Sequence, residues 1–413
     1  MMATQGSSAP TWAVPSIADL IGHAKQNSDL FVHKEKLRWD SSAVIVPNQK
    51  IELDFNRYDD QFLDPRSLRA CFFLQGVSSD TNAIIDGTIQ TVFQTVKVRN
   101  GTQLVCEFYE AGLLFTQLRD LNLSLDTSTI EKQMYGEGTS TEKKAWFALA
   151  APGRMYQCHP FPKKSWLNSD CLVPLSRMNK VQAEFTFNSA ARTIYSTTDA
   201  NATYIITGFE LHCDYVQSPT IAAYYNSNPM RITVQDYAWS QGSLLSAVDG
   251  LLRVPSNSKS LNKLLIILRD GTTSQAIATA DKNRVAKAGN LISQYNIRVN
   301  GKYMYSEPVT GWGQLSVEQY EEFRDCFSQV TTSAYYDSTF LAGTQNRLAF
   351  NFEAAPDSMR SVLATGVDTS GFNSDLQVEI KFISAMTCRT DSYLVRDRTI
   401  SLPRNFADLV IED

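Results

Sequence analysis

The fold of this chain is decided by the stretch Val96-Lys97-Val98-Arg99-Asn100-Gly101-Thr102-Gln103-Leu104-Val105-Cys106-Glu107-Phe108-Tyr109, which leads into Leu113–Asp120. An Asn-Gly pair between alternating apolar residues predicts a β-hairpin, because its tight turn needs positive φ at both central positions. The residues of Leu113–Asp120 follow the period of a helix. The stretch therefore predicts two short strands followed by a helix.

The same order of elements recurs about two hundred residues later, in Tyr295–Phe327, where Asn300-Gly301 marks the turn. Three further landmarks appear in the same order in both halves: an apolar run, a strand downstream of the hairpin, and a long last strand. We match these as Leu68–Leu74 with Leu264–Leu268, Val181–Asn188 with Arg347–Glu353, and Tyr204–Tyr215 with Leu376–Cys388. Four matched landmarks predict two copies of one domain.

Composition and charge narrow the function classes. The chain has 413 residues and a net charge of −5, without a run of Lys or Arg. Direct, strong binding to nucleic acid, sequence-specific binding included, is therefore not expected, since the affinity for nucleic acid comes largely from phosphate neutralisation. The N-terminus does not resemble a secretory signal, and no apolar run reaches the ~20 residues that span a bilayer. Seven scattered cysteines favour a reducing compartment.

Short strands separated by turn residues predict an all-β chain. Seven or eight strands in roughly 180 residues fit a jelly roll, in which two sheets face each other. We expect residues 37–217 to form a first jelly roll, 218–230 a linker, 231–395 a second jelly roll and 396–413 a C-terminal tail, with short helices in the inter-strand loops. The tail either lies on a neighbour or is free in solvent.

Residues 1–36 are expected to form an N-terminal arm with an amphipathic helix, which we predict over Ser16–Trp39. Its apolar stripe contains Ile17, Leu20, Ile21, Ala24 and Phe31. This helix either packs on its own domain or reaches a neighbouring subunit, an accessory protein or a membrane surface. Its mixture of basic and acidic residues favours protein over lipid.

Two further segments carry specific expectations. The segment Leu121–Asp170 is long and rich in Gly, Pro and Ser, which is typical of a functional loop that projects from its domain. The last strand of the first half alternates cleanly in the sequence. This pattern predicts that one set of side chains faces the core, namely Ile205, Thr207, Phe209, Leu211, Cys213 and Tyr215.

The search for chemistry finds no site. The four histidines are His23, His33, His159 and His212, and none has the spacing of a metal motif. His212 and Cys213 are neighbours on a predicted strand and point to opposite faces, so they cannot easily share an ion. Phosphate-binding loops and hydrolase motifs are absent from the sequence. We therefore predict a protein that is not an enzyme, with no catalytic residue, cofactor or metal.

The order of hairpin, helix and long loop, followed by Cys171-Leu172-Val173-Pro174-Leu175-Ser176-Arg177-Met178-Asn179-Lys180-Val181-Gln182-Ala183-Glu184-Phe185, resembles the first half of double jelly-roll major capsid proteins. The segment between Asp214-Tyr215-Val216 and Arg231–Gln235 is similar to their linker. This family builds the shells of adenovirus-like, polinton-like and other DNA viruses. The resemblance implies a tandem jelly roll of two eight-stranded β-sandwiches side by side.

The resemblance also implies a function. The protein would be a viral structural protein whose homotrimer is a pseudo-hexagonal capsomer that tiles an icosahedral capsid around a DNA genome. Its partners would be itself, neighbouring capsomers, penton and minor capsid proteins and, as a further candidate, an internal membrane. It would be located in the virion and assembled inside the host cell without secretion. Interface or outer-face candidates are Phe108–Asp120, Leu315–Phe327 and Leu121–Asp170.

Two other function classes are weighed against this one. A tandem β-sandwich that binds carbohydrate or acts as an adhesin would expose aromatic side chains, and Trp146, Trp166 and Trp312 are its candidates. A two-cupin enzyme shares the tandem jelly-roll plan. It would need several histidines and a Glu around one metal, and the β region contains only His159 and His212.

Overall fold

The computed structural model describes residues 30–40, 43–122, 128–228, 230–270, 292–310, 318–319, 321–322, 326, 347–353, 366–371, 375–402 and 408–412. The strands of the first half are β1 (Phe31–Arg38), β2 (Lys50–Asp54), β3 (Gln61–Val77), β4 (Ile84–Ile85), β5 (Phe93–Asn100), β6 (Gln103–Tyr109), β7 (Arg154–Cys158), β8 (Val181–Phe187), β9 (Ile194–Tyr195) and β10 (Thr203–Gln217). Its helices are α1 (Ala111–Asn122), α2 (Thr129–Met134), α3 (Ser140–Phe147) and α4 (Ala190–Thr193).

The first half is a sandwich of two four-stranded antiparallel sheets. One sheet has the order β1-β10-β3-β7 and the other has the order β2-β8-β5-β6, while β4 and β9 form a separate ladder. Aromatic rings connect the two sheets: the ring centroid of Phe209 on β10 lies 5.4 Å from that of Phe185 on β8, and the ring centroid of Phe72 on β3 lies 6.3 Å from that of Phe93 on β5. Large buried rings of this kind dominate the apolar area of a core. We call this unit the first sandwich.

A helix, α5 (Pro219–Ser227), connects the first sandwich to the second half. The strands of the second half are β11 (Met230–Arg253), β12 (Leu261–Asp270), β13 (Ile292–Val299), β14 (Lys302–Tyr303), β15 (Val309–Thr310), β16 (Arg347–Asn351), β17 (Leu376–Leu402) and β18 (Val410–Glu412). Two of these strands are very long, and each contributes to both layers of one folded unit. We call this unit the second sandwich.

The second sandwich repeats the strand order of the first. The first part of β11 pairs with the last part of β17, which pairs with β12, which pairs with β16. The last part of β11 pairs with the first part of β17, which pairs with β13 and then β14. These two series match β1-β10-β3-β7 and β2-β8-β5-β6 of the first sandwich. The duplication predicted from the sequence is therefore present at the level of topology.

Two of the four matched landmarks were assigned to the wrong partners. The strand within Arg347–Glu353 pairs with β12, so it corresponds to Arg154–Cys158 and not to Val181–Asn188. Similarly, Leu376–Phe382 corresponds to β8, whereas β10 corresponds to the last part of β17. The error arose because β17 runs without interruption through two strand positions that are separate strands in the first sandwich.

The hairpin turns differ in one respect between the two sandwiches. Both Asn300 (φ 51°) and Gly301 (φ 78°) have positive φ, as the two-residue turn predicted here requires. In the first sandwich Asn100 pairs with Gln103, so the turn consists of Gly101-Thr102 and only Gly101 has positive φ. Glycine at the first central position is typical of a type II′ turn. The predicted hairpin is confirmed, but its turn lies one residue later.

The alternation predicted along β10 holds only after Gly208. Phe209, Leu211, Cys213 and Tyr215 are buried as predicted, whereas before Gly208 the buried side chains are Tyr204 and Ile206 instead of Ile205 and Thr207. Gly208 has φ +61°, and the register with β3 shifts between Thr207 and Glu210. A β-bulge adds one residue to the strand, which exchanges the two faces of the strand.

The ends of the chain also differ from the prediction. Phe31–Arg38, part of the predicted helix, is the edge strand β1, and the rest of that helix prediction lies outside the described residues apart from Leu30 and Trp39. At the other end, Arg396–Leu402 belongs to β17 and not to a tail. Pairing with β10 and β11 explains both corrections, because an available sheet edge satisfies the backbone polar groups of these segments.

The predicted loop Leu121–Asp170 is more regular than expected. Its described part contains α2, α3 and the strand β7, which completes one sheet of the first sandwich. Thr139 and Glu142 form a capping box at the start of α3, and Phe147 at its end is buried. Within the described part of the chain, no helix is long and apolar enough to cross a membrane.

Candidate functional site: the junction between the two sandwiches

The two sandwiches meet where β6 of the first contacts β11 and β17 of the second. Phe108 on β6 lies with its ring centroid 6.3 Å from that of Tyr237, and Tyr109 lies 6.2 Å from Trp239. Phe108 and Tyr237 are both buried. We call this region the junction. It is a candidate functional site because it sets the position of one sandwich relative to the other.

A buried ionic cluster forms the centre of the junction on the side of the second sandwich. Asp391 has no exposed side-chain surface, and it accepts hydrogen bonds from Arg389 at 2.8 Å, from the Trp239 indole at 3.0 Å and from Arg269 at 3.3 Å. Arg269 is only 4% exposed. Buried charges are tolerated when they are paired and hydrogen-bonded, and removing one partner leaves the other uncompensated.

Glu110 extends this cluster into the first sandwich. Its carboxylate accepts a hydrogen bond from Arg192 and lies 3.9 Å from the Arg389 guanidinium, while its carbonyl accepts from the Tyr393 hydroxyl at 3.2 Å. Glu110 has φ +48° and directly precedes α1. The hairpin and helix of the first sandwich thus place the Glu110 carboxylate beside an arginine of the second sandwich and the Glu110 carbonyl against a tyrosine hydroxyl of the second sandwich.

A second ionic cluster lies beside β6. Asp236 is buried and accepts from Arg396 at 2.8 and 3.0 Å, and Arg398 lies 3.4 Å from the same carboxylate. Arg398 also donates to the Val105 carbonyl at 3.3 Å, which connects this cluster to the first sandwich. Burial raises the pKa of the Cys106 thiol, which keeps this thiol protonated and unreactive at neutral pH.

Residues near the C-terminus form hydrogen bonds with the first sandwich at the edge of the junction. Gln103 donates to the Leu409 carbonyl at 2.7 Å and accepts from the Leu409 amide at 3.1 Å, and Asn179 donates to Asp408 at 2.6 Å. The residues that follow form β18, which pairs with β17 of the second sandwich. We call residues 408–412 the C-terminal strap. It therefore contacts both sandwiches of its own chain.

The helices between β6 and β7 form a second region of interest. Arg119 of α1 pairs with Glu131 at 2.9 Å and with Glu137 at 3.0 Å, and its guanidinium lies 4.1 Å from the Tyr135 ring centroid. These contacts hold α2 against α1. Ile130 on α2 is 70% exposed. The Ile130 side chain is therefore an exposed apolar group on a helix that is held in place by the contacts of Arg119.

Neither the scan against family models nor the search of curated proteins finds a match to this chain. Solved structures do match. The PBCV-1 virus capsid has a TM-score of 0.63 at 11% identity, covering 93% of this chain and 97% of that one. The Faustovirus major capsid protein has 0.61 at 8% identity, covering 97% and 92%. The chain has the double jelly-roll fold of these proteins.

A third structure with this double jelly-roll fold comes from the Sputnik virophage. It has a TM-score of 0.61 at 10% identity and covers 99% of this chain and 91% of that chain. Since the match extends over nearly the whole length of each chain, it includes both sandwiches. The fold class predicted from the sequence is confirmed.

Two of the histidines, His159 and His212, are held in structural contacts, while His23 lies outside the described residues. His159 lies with its ring nitrogens 2.9 Å from the Phe161 carbonyl and 3.2 Å from the Pro65 carbonyl, and burial lowers its pKa to about 4, with a further contribution from Arg69. His212 contacts Glu210 at 2.8 Å, while its neighbour Cys213 is buried on the other side of the strand. Among the described residues no group of three potential ligands lies together.

The tryptophans named for the carbohydrate-binding alternative are engaged in packing where they are described. Trp166 is buried, and the ring of Trp146 lies 3.7 Å beneath the Arg154 guanidinium. Trp312 lies outside the described residues. Neither described ring is available as an open stacking platform. The interface candidate Phe108–Asp120 is partly a strand, since α1 begins at Ala111, and most of Leu315–Phe327 lies outside the described residues.

Proposed function

We propose that this protein is a viral major capsid protein and that three copies form a pseudo-hexagonal capsomer that tiles an icosahedral shell around a DNA genome. The observation that supports it most is the internal duplication: two sandwiches of the same strand order are held side by side by a buried junction. Three such chains supply six similar units around one three-fold axis. The fold shared with the PBCV-1 capsid and the Faustovirus major capsid protein supports the same proposal.

We propose two folding domains on the strength of the strand pairing, over residues 31–217 and 230–402, linked by α5. These bounds extend the first jelly roll by β1 and the second by the end of β17, relative to the division expected from the sequence. In this proposal the protein has no enzymatic role and contains no catalytic residue, cofactor site or metal site. Its place is the virion, after assembly inside the host cell.

The proposed partners are further copies of this chain, penton and minor capsid proteins, and an internal membrane as an additional candidate. The net charge of −5 supports a shell that does not itself bind the genome in a sequence-specific way. Apolar side chains exposed on and after the helices, Ile130, Met134 and Leu149, support protein contacts in that region.

Electron microscopy of the purified protein tests this proposal. The expected images show particles with a pseudo-hexagonal outline and, at high protein concentration, sheets or closed shells of these particles. A field of single elongated particles under all salt conditions would contradict the capsomer proposal. A glycan array on the same preparation then tests the adhesive alternative, which predicts specific binding to a sugar class.

A further inference from the structure

The second sandwich has a cavity of about 490 Å³ between the ends of its two sheets. On the side of one sheet the cavity is lined by Ala238 of β11 and by its strand partner Leu394, followed by Arg396, on β17. On the side of the other sheet it is lined by Val254, which follows β11, and by Leu376, the first residue of β17. Pockets that bind small molecules typically have volumes of about 300–1,000 Å³, so this cavity is large enough for a ligand.

The internal duplication shows which residues take the equivalent positions in the first sandwich. The Phe55 amide donates to the Val181 carbonyl at 3.0 Å, and the Val254 amide donates to the Leu376 carbonyl at 2.9 Å. Val181 and Leu376 are the first residues of the two corresponding strands, β8 and the first part of β17. Phe55 therefore corresponds to Val254.

A second pair of positions is matched in the same way. Leu63 of β3 and Leu261 of β12 each form an isolated bridge to the segment that leads into β8 or into the first part of β17, so these two leucines correspond. Leu63 pairs with Tyr215, and Leu261 pairs with Arg396. Tyr215 of the first sandwich therefore takes the position that Arg396 has in the second.

In the first sandwich these positions are filled by aromatic rings. Tyr215 is fully buried, its ring centroid lies 5.3 Å from that of Tyr58, and its hydroxyl donates to the Asn56 carbonyl at 3.2 Å. Phe55 is buried as well. The segment that follows β2 thus closes the end of the first sandwich with its own side chains.

The second sandwich has no ring at these positions. Val254 is smaller than phenylalanine, and the residues after it are Pro255-Ser256-Asn257-Ser258. The side chain at the position of Tyr215 is Arg396, whose guanidinium donates to Asp236 at 2.8 and 3.0 Å. The cavity therefore follows from the loss of the aromatic side chains that fill the duplicate.

The walls of the cavity are aliphatic, and its charges leave one arginine without a partner. The buried apolar residues that line it are Val254, Leu261, Leu376 and Leu394. Its charged residues are Arg253, Asp375 and Arg396. Asp375 pairs with Arg298 at 3.0 Å, and Arg396 pairs with Asp236. Arg253 is exposed and makes no ion pair with any residue that the structure describes.

We propose that this cavity binds a single-chain amphiphile with an acidic head group, such as a fatty acid. The aliphatic chain lies against Leu376 and Leu394, where its burial supplies the affinity. The carboxylate lies at Arg253, because a guanidinium is the donor that best matches a carboxylate. The site is built by one sandwich of one chain, so it does not depend on the capsomer and is tested separately from it.

Isothermal titration calorimetry of the purified protein with octanoate, decanoate and dodecanoate tests this proposal. Each acid is kept below its critical micelle concentration. We expect saturable binding of one molecule per chain, and each further CH₂ group that enters the cavity should tighten binding roughly fourfold. Absence of saturable binding, or an affinity that does not change with chain length, would overturn the proposal.

Variants that fill the cavity locate the site. Val254→Phe introduces the residue that the first sandwich has at this position, and we expect it to abolish decanoate binding. Ala238→Leu fills the cavity from the opposite sheet and carries the test where Val254→Phe lacks a cooperative unfolding transition. The matched control is Val248→Phe, since Val248 is on β11 but is 41% exposed and lies outside the cavity; it should bind like the parent. Full binding by a folded cavity-filling variant would contradict the assignment.

A last variant tests the head group. Arg253→Gln should weaken decanoate binding by about fivefold, as expected for the loss of one exposed ion pair. Binding of decanol, which has no charge, should be the same in Arg253→Gln and in the parent. An unchanged affinity for decanoate in Arg253→Gln would overturn the proposal that the ligand is acidic.

Discussion

Replacing Asp391 by Ala is expected to destabilise the junction more than any other single carboxylate truncation described here. Asp391 has no exposed side-chain surface, and it neutralises Arg269, which is 4% exposed, together with Arg389. Removing one member of a buried pair costs about 3–5 kcal/mol, because it leaves an uncompensated charge. The total stability of a domain is typically about 5–15 kcal/mol, so the loss is a large share.

Urea unfolding followed by tryptophan fluorescence measures this loss, because Trp239 donates its indole hydrogen bond to Asp391. With a slope of roughly 3 kcal/mol per molar urea, the unfolding midpoint should fall by about 1–1.7 M. The matched control is Asp375→Ala. Asp375 pairs with Arg298 at 3.0 Å, but both side chains are 33% exposed, so its loss should cost about 1 kcal/mol or less.

The comparison between these two variants is made at equal protein concentration, because association raises apparent stability. If Asp391→Ala unfolds at the same urea concentration as Asp375→Ala, the buried cluster does not stabilise the junction. An unchanged slope in both variants indicates that the change lies in stability and not in the compactness of either state.

Three other perturbations test separate parts of the structure. Gly301→Val should cost about 1–2 kcal/mol of stability, measured by thermal unfolding, through backbone strain alone, since φ is +78° and the added Cβ meets no atom within 4 Å. Gly301→Asn should cost less, and an equal loss in the two variants would contradict the turn assignment. Gln103→Ala removes both hydrogen bonds to Leu409 and should cost about 1–3 kcal/mol by urea unfolding, while full stability would mean that the C-terminal strap does not contribute. The pKa of His159 is lowered to about 4 in the folded chain, so the unfolded chain takes up the proton first as the pH falls, and stability should decrease from about pH 6.5 towards pH 4. His159→Gln should weaken this dependence of the unfolding temperature on pH, and an unchanged dependence would contradict the role of His159.

The sequence predicts those strands and turns whose own residues indicate burial or a particular backbone conformation. The apolar runs Leu68–Leu74 and Leu264–Leu268 are central strands in both sandwiches, because each is covered on its two faces. The Asn-Gly pairs predict the two hairpins through a local requirement for positive φ, which both residues meet at Asn300-Gly301 and which Gly101 alone meets in the first sandwich. These signals are local, so they can be recognised without knowledge of the tertiary structure.

Edge strands were harder to predict. Phe31–Arg38 has apolar residues only near its two ends and contains three lysine or arginine residues, so it lacks the alternation of a half-buried strand, and only pairing with β10 decides for a strand. Arg154–Cys158 is a five-residue edge strand inside a segment rich in Gly and Pro, so it read as part of a loop. In both cases the segment becomes a strand because it pairs with a neighbouring strand of the sheet, which its own sequence does not show.

The bulge at Gly208 and the junction depend on contacts between distant residues. In the sequence the alternation of β10 continues cleanly through Gly208, so the pattern did not indicate the bulge or the exchange of faces that the bulge causes. Glu110, Arg269 and Asp391 are separated by more than a hundred residues and are brought together only by the docking of two sandwiches. Their one sequence signal is the presence of charge in otherwise apolar strands, where buried charges require a partner.

The native mass of the purified protein tests the capsomer most directly. Light scattering or native mass spectrometry at several salt concentrations is expected to give three times the 46.2 kDa of one chain. A mass of one chain under every condition, from a sample that keeps its cooperative unfolding transition, would contradict the proposal that this double jelly roll functions as a trimeric capsomer.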